Sequence, residues 1–320
     1  MRNENKLLRF FNQNLVLLGI IVLVTMTAII QPKFLMARNL TNILRQMTSL
    51  AFVALGMTFV IIGGFIDLSV VGMVSLVSVI TASLINPLGQ VGALLCGLLA
   101  GALLGYLNGT ILTKFGATIQ AEVLFITYGM SSVFIAVGLL VTNAETLRIA
   151  RSTKPYDMFT AIGSGSFYGI PISILIFAVV LAIMYFFQTR TLAGRSISLM
   201  GGNKTAAYLC GFNINRTMQM VYTINGLMSA FGSIVLMSRV TTATATLGTG
   251  YEANAILCVV VGGTTLAGGK GNVLRTLLGV FLITLLSNCM NLLGLSTYMQ
   301  TITNGAVLVT AIWLDNRKRQ

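Results

Sequence analysis

The sequence predicts an all-α polytopic membrane protein with about ten transmembrane helices. Three observations predict it. Mean hydropathy is +0.89. Charged residues make up only 8% of the 320, against roughly 25% in soluble domains. Apolar runs approaching the roughly 20 residues that a bilayer requires recur from one end of the chain to the other. A soluble core cannot enclose that much apolar surface, and no stretch is polar enough for a separate soluble unit. Residues 1–320 therefore read as a single membrane domain.

Taken in order, the first run is 15–30. It follows Arg2, Lys6 and Arg9, the charge order of a signal peptide, but "QPKF" succeeds it and no small-x-small cleavage site does. A retained span is the expectation. Further spans are expected near 42–63, 68–85, 90–111 and 118–141. The third of these contains "GLLAGALLGYLNG" (97–109), whose small residues allow close helix contact where lipid supplies no hydrophobic drive between helices. A long outer connection, 142–168, leads to a span at 169–188, and the longest inner connection, 189–218, follows it. The remaining spans fall near 219–238, 252–268, 274–293 and 297–314.

Orientation follows the placement of lysine and arginine. With the N-terminus inside, Lys33, Arg38, Arg45, Arg148, Arg151, Lys154 and Arg239 lie outside, and the other 13 of the 20 basic residues lie inside. Both termini are then cytoplasmic. The net charge of +13 is scattered between apolar runs instead of gathered on one face, which fits lipid headgroups and excludes a nucleic-acid partner.

Absences narrow the chemistry. There is no histidine, which removes histidine triads, imidazole proton shuttles and most zinc sites. Cys96, Cys210, Cys258 and Cys289 are far apart and form no C-x-x-C pair, so neither a metal site nor a disulfide framework is indicated. "VVVGGTTLAGGKGN" (259–272) looks like a phosphate-binding loop, G-x-x-x-x-G-K-[ST]. Counting back from Lys270, Thr264 stands where the first glycine belongs, and Gly271 stands where the hydroxyl belongs. The loop fails, and no catalytic residue is assigned. A faint echo links "VIIGGFIDLSVVG" (60–72) to "VVVGGTTLAGG" (259–269), of the kind left by repeated halves in transporters.

Polar residues inside or beside spans are the candidates for a solute path. Asp67, Glu122 and Glu252 are acids that at mid-bilayer cost at least about 2.5–3.5 kcal/mol. Each must face a wet path, pair with a base, or sit near an interface; for Glu122 the nearest base is Lys114. Asn288 and Asn291, three apart, share a helix face, as do Gln300 and Asn304, four apart. With Asn108 and Asn254, these amides suit a hydroxyl-rich neutral solute, and they equally suit helix–helix hydrogen bonds in lipid. In the inner connection, Asn203 after Gly201–Gly202 caps a short helix through "KTAAYLC" that Gly211 ends. Such a helix, with Ala206 and Ala207, is either an ordinary surface element or a knob that fits a cytoplasmic partner's groove.

Four ordered motifs then carry a resemblance over nearly the whole chain: "VALGMTFVIIGGFIDLSV" (53–70), "GGNKTAAYLCGFNINR" (201–216), "GTGYEANAILCVVVGGTTLAGGKG" (248–271) and "LSNCMNLLGLSTYMQTI" (286–302). The chain resembles the permease subunits of ribose-type ATP-binding-cassette (ABC) importers. The resemblance implies the ABC-importer permease fold, a bacterial inner-membrane location, and alternating access that carries a sugar or similar neutral polyol inward. It implies two permease copies, a homodimer being expected, with a periplasmic solute-binding protein outside and ATPase subunits inside. ATP and Mg²⁺ belong to those ATPases, so this chain holds no cofactor and is not itself an enzyme. It also implies that Gly201, Gly202, Asn203, Lys204, Ala206, Ala207 and Gly211 form the coupling segment that engages the ATPase. Lys204 stands where the family usually has an acid, Asn254 where it usually has a carboxylate, and Glu122 in a segment that is usually apolar. The rival reading is an ion-coupled secondary carrier for a small polar solute. Against it stand the missing histidines and the few embedded acids.

Overall fold

The computed structural model describes residues 15–117 and 119–317. Arg2, Lys6, Arg9, Lys318 and Arg319, on which the expected orientation partly rests, lie outside the described residues.

Twelve α-helices are described, with four two-residue strands. The first four helices are α1 (Leu15–Ile30), α2 (Ala37–Ile62), α3 (Val70–Lys114) and α4 (Gln120–Thr142). After them come strand β1 (Leu147–Arg148), α5 (Asp157–Ser164), the pair β2 (Ser166–Phe167) and β3 (Ile170–Pro171), and α6 (Ile172–Arg190). Two short helices, α7 (Leu192–Gly202) and α8 (Lys204–Leu209), precede α9 (Ile214–Val240) and β4 (Thr242–Ala243). The chain ends in α10 (Tyr251–Val261), α11 (Val273–Leu292) and α12 (Thr297–Arg317). Six helices (α2, α3, α4, α6, α9 and α11) are long and apolar enough to cross a membrane.

Helix α3 is two expected spans in one. It runs for 45 residues, but Pro87 lies inside it and Gly89 takes φ 76° and ψ 172°, which breaks the helical ladder. The chain doubles back there, because Thr81 Oγ1 abuts Gly97, a pair that an unbroken helix would hold about 24 Å apart. In the second arm, Gly97, Gly101, Gly105 and Gly109 are buried, while Leu95, Leu99, Leu103 and Leu107 are exposed. A four-residue step keeps each set on one helix face, so the glycine stripe faces protein and the leucine stripe faces lipid. Opposite the glycines lies α9. Gly105 fits beneath the Tyr222 carbonyl, and Gly226 sits 3.0 Å from a methyl placed on Gly105.

The expected span at 252–268 is shorter than its apolar content suggested. Helix α10 ends at Val261, and glycines then turn the chain. At 11 residues, α10 is too short to cross a bilayer alone.

Helix α2 is the centre of the bundle. In its most apolar window 83% of residues are buried, against 11% in α6, so α2 is sheathed by protein and α6 lies at the surface of the bundle. Phe52 of α2 stacks on Phe231 of α9 at 5.2 Å and meets Phe177 of α6 edge-on at 5.1 Å. Thr58 shares a 2.8 Å hydrogen bond with Thr276 of α11. At one end of the bundle β1 pairs antiparallel with β4, which ties the connection after α4 to the exit of α9. The long connections 142–168 and 189–218 lie at opposite ends of α6.

Candidate functional site

The segment 201–211, expected from sequence to engage an ATPase, forms as its residues dictate. Asn203 accepts a 3.0 Å hydrogen bond from the Ala206 amide, Cys210 closes the helix, and Gly211 takes φ 84° beyond it. Thr205, Ala206, Tyr208, Leu209 and Cys210 are exposed, whereas Ala207 is buried, so only one of the two alanines lies on the surface. Behind it α7 begins at Thr191, whose hydroxyl accepts from the Gly194 amide at 3.0 Å.

The segment rests on two turns of the same geometry. Helix α2 ends at Gly63: the Gly64 amide donates to Ile61 (2.9 Å) and the Phe65 amide to Val60 (3.1 Å), with Gly64 at φ 85°. Helix α10 ends at Val261 with Gly262 as its cap: the Gly263 amide donates to Val260 (2.8 Å) and the Thr264 amide to Val259 (3.1 Å), with Gly263 at φ 89°. Both are Schellman turns, in which a left-handed glycine lets the last carbonyls find donors. The sequence echo between 60–72 and 259–269 is therefore a structural one. Gly201 lies against the Ile62 carbonyl, and the Gly269 amide donates to that same oxygen at 2.8 Å. A methyl on Gly269 would fall 2.8 Å from the Gly202 Cα. The glycines of "GGTTLAGGKG" thus serve close backbone contact. Gln188 secures the start of α11, donating to the Gly271 carbonyl (3.0 Å) and accepting from the Val273 amide (3.1 Å).

Lys204, the first residue of α8, reaches back into the protein. Its Nζ lies 4.4 Å from the centre of the Phe65 ring, which is itself buried. Partial burial lowers the proton affinity of the ammonium, and the nearby Glu122 carboxylate opposes that effect. Glu122 is in the first turn of α4, where it accepts from the Ile119 amide at 3.3 Å. A base near Glu122 is thus Lys204, from a distant part of the sequence.

Two residues after Phe65 stands Asp67, wholly buried. Its carboxylate is met by neutral donors: the Ser69 amide (2.8 Å), the Ser69 hydroxyl (2.5 Å) and the Asn225 side-chain amide (2.7 Å). Asn108 in turn donates to the Ser69 hydroxyl at 2.6 Å, which fixes the direction of the chain Asn108 to Ser69 to Asp67. This cluster joins the α2–α3 turn, the second arm of α3, and α9. A methyl on Gly56 would fall 2.5 Å from Asn225 Oδ1, so that glycine makes room for the amide. The Tyr222 hydroxyl and the Oδ1 atoms of Asn108 and Asn225 are enclosed and have no hydrogen-bond partner among the described residues. Of this group, Asp67 and Asn108 were expected from sequence; Ser69, Tyr222 and Asn225 were not.

The other candidates lie on α10, α11 and α12. Asn288 exchanges two hydrogen bonds with Asn39 of α2, at 3.1 and 2.9 Å. Gln300 donates to Asn291 at 2.7 Å, and Asn304 donates to Asn254 at 3.2 Å. The amides therefore bridge helices. Glu252 is in the first turn of α10, half-buried, with one enclosed carboxylate oxygen that has no hydrogen-bond partner among the described residues. Among the described residues, no cluster of acids and cysteines is arranged to hold a metal ion. Cys258 and Cys289 are free and buried, and Cys289 accepts from the Thr27 hydroxyl at 2.9 Å.

Residues 39–312 match the family described as "Branched-chain amino acid transport system / permease component". The ribose import permease protein RbsC of Haemophilus influenzae is 36% identical, across 99% of this chain and 98% of its own length. The ribose import permease RbsC of Bacillus subtilis is 36% identical across 94% of this chain and 92% of its own. The xylose transport system permease protein XylH of Escherichia coli is 30% identical across 90% and 87%. With the apolar helices already described, these likenesses mean that the chain belongs to the family of ABC-importer permeases that includes the ribose import permeases.

Proposed function

We propose that this chain is the conduit of an inner-membrane importer, moving ribose or a similar neutral polyol from periplasm to cytoplasm by alternating access. The single observation that carries the sugar class is the full-length likeness to ribose import permeases. The coupling segment supports the energy source: a capped helix outside the bundle, with Tyr208 and Leu209 exposed, offers a cytoplasmic ATPase something to grip. ATP and Mg²⁺ are held by that ATPase. A periplasmic binding protein delivers the solute, and two copies of this chain enclose the path, with both termini in the cytoplasm. Asp67, Asn108, Glu122, Glu252, Asn254, Asn288, Asn291, Gln300 and Asn304 are the residues we place along or beside that path, and amides give it donors and acceptors for hydroxyls.

The test is reconstitution with the ATPase and binding protein, with and without residues 203–210. Loss of solute-stimulated hydrolysis on deletion, with membrane insertion intact, is the expected result. Full stimulation after deletion would refute the coupling role, and uphill uptake by the chain alone, collapsing with an uncoupler, would establish an ion-driven carrier instead.

A further inference from the structure

The seven residues between α2 and α3, 63–69, carry two different attachments. Phe65 is 1% exposed, so it cannot touch a cytoplasmic subunit, yet it lies beneath the Lys204 ammonium of the exposed helix α8. Asp67, two residues on, is hydrogen-bonded to Asn225 of α9 and, through Ser69, to Asn108 of α3. The segment is short and its first end is fixed: the Phe65 amide donates to Val60, and Gly64 packs against Gly201 and Gly268. Lys204 thus links α8 to the Phe65 ring, two residues from the Asp67 carboxylate.

We propose that Phe65 and Lys204 are positioning residues for energy coupling, joining the ATPase-facing helix to the buried Asp67–Asn225–Asn108 cluster that holds α3 against α9. This inference rests on the importer reading above and names the contact inside the chain through which that reading works. A cation above an aromatic face is attracted by the ring's quadrupole, and the attraction grows when water is partly excluded. The contact is directional and local, suited to a joint that must hold while α8 moves as a body. Partial burial lowers the lysine's proton affinity, and the nearby Glu122 carboxylate opposes that effect.

The experiment uses the complete complex in lipid nanodiscs, with its ATPase and ribose-loaded binding protein. ATP hydrolysis is measured with and without the binding protein, and co-purification of the ATPase is scored alongside. Phe65→Leu keeps the bulk and removes the ring's face. It is expected to leave ATPase association unchanged and to cut stimulated hydrolysis by about threefold to tenfold, the range a half-buried cation–π contact supports. Lys204→Met, at a half-exposed position where folding is not at stake, is expected to give a similar loss. The double variant is expected to lose no more than either single variant, and Lys204→Arg to retain stimulation. Additive losses, unchanged stimulation in Lys204→Met, or loss of the ATPase from the Phe65→Leu complex would overturn the inference. If wild type shows no stimulation, the importer reading falls and takes this inference with it; if wild type is stimulated and the variants behave like it, only this inference falls.

Discussion

The Asp67 carboxylate and the Asn225 side-chain amide lie 2.7 Å apart, although 158 positions separate them in the chain. A buried carboxylate is tolerable here because three donors meet it, two from Ser69 and one from Asn225. In Asp67→Asn, an NH₂ group must face one of those donors, so at least one hydrogen bond is lost inside the protein. The expected cost is about 1–3 kcal/mol, read as a lower melting temperature in detergent. Asn225→Leu removes one donor and is expected to destabilise as well, with the double variant costing less than the sum of the two. A melting temperature unchanged in Asp67→Asn would show that the carboxylate is not held as described.

The α3–α9 seam makes an opposed pair of predictions. A methyl at Gly105 would strike the Tyr222 backbone carbonyl, which cannot rotate away. Gly105→Ala is therefore expected to destabilise by about 1–3 kcal/mol, the usual cost of overpacking. Gly129, inside α4, has open space around its would-be methyl. Gly129→Ala is expected to stabilise by about 0.5–1 kcal/mol through reduced chain entropy. Thermal unfolding of the two variants side by side checks both signs, and similar shifts would mean the helices do not meet along this stripe.

Much of this architecture was legible in the sequence, and the reason is local. Apolar runs announce helices, Asn203 announces a cap, and paired glycines after Val60 and Val259 announce turns, because each signal sits next to the structure it makes. The turn at Gly89 was legible only as a gap between spans, and the span expected at 252–268 ran past the glycine pair 262–263 that ends α10. The buried cluster was half visible. Asp67 and Asn108 drew notice as polar groups in or beside apolar runs, but Asn225 lies in "VYTINGLMSA", an unremarkable stretch. What makes Asn225 significant is its partner, and a pairing across 158 positions leaves no trace in local composition. Lys204 and Glu122 were each noticed as unusual, and only the fold puts them side by side.

Asn39 and Asn288 exchange two amide hydrogen bonds between α2 and α11. Asn39→Leu leaves the Asn288 amide without this partner, whereas Asn288→Leu leaves Asn39 only its bond to the Phe34 carbonyl. Each single variant is expected to cost about 0.6 and at most roughly 1.7 kcal/mol, the span found for polar pairs between membrane helices. Changing both to leucine removes the orphan and is expected to cost less than the two singles together. Unfolding of all four proteins in one detergent tests this, and strict additivity would mean the pair does not form.

The two Schellman turns allow a comparison in which sterics drop out. Gly64 and Gly263 take nearly the same left-handed φ, 85° and 89°. A methyl at Gly263 meets nothing within 4 Å, and at Gly64 its nearest neighbour is an ordinary 3.6 Å away. Alanine at either position therefore suffers from backbone strain alone, about 1–2 kcal/mol, and the two variants are expected to lower the melting temperature by similar amounts. Asparagine enters the left-handed region more easily than alanine, so Gly263→Asn is expected to recover part of that loss. Should alanine prove harmless at Gly263 and costly at Gly64, the turns would not be equivalent, and the echo between residues 60–72 and 259–269 would be one of sequence only.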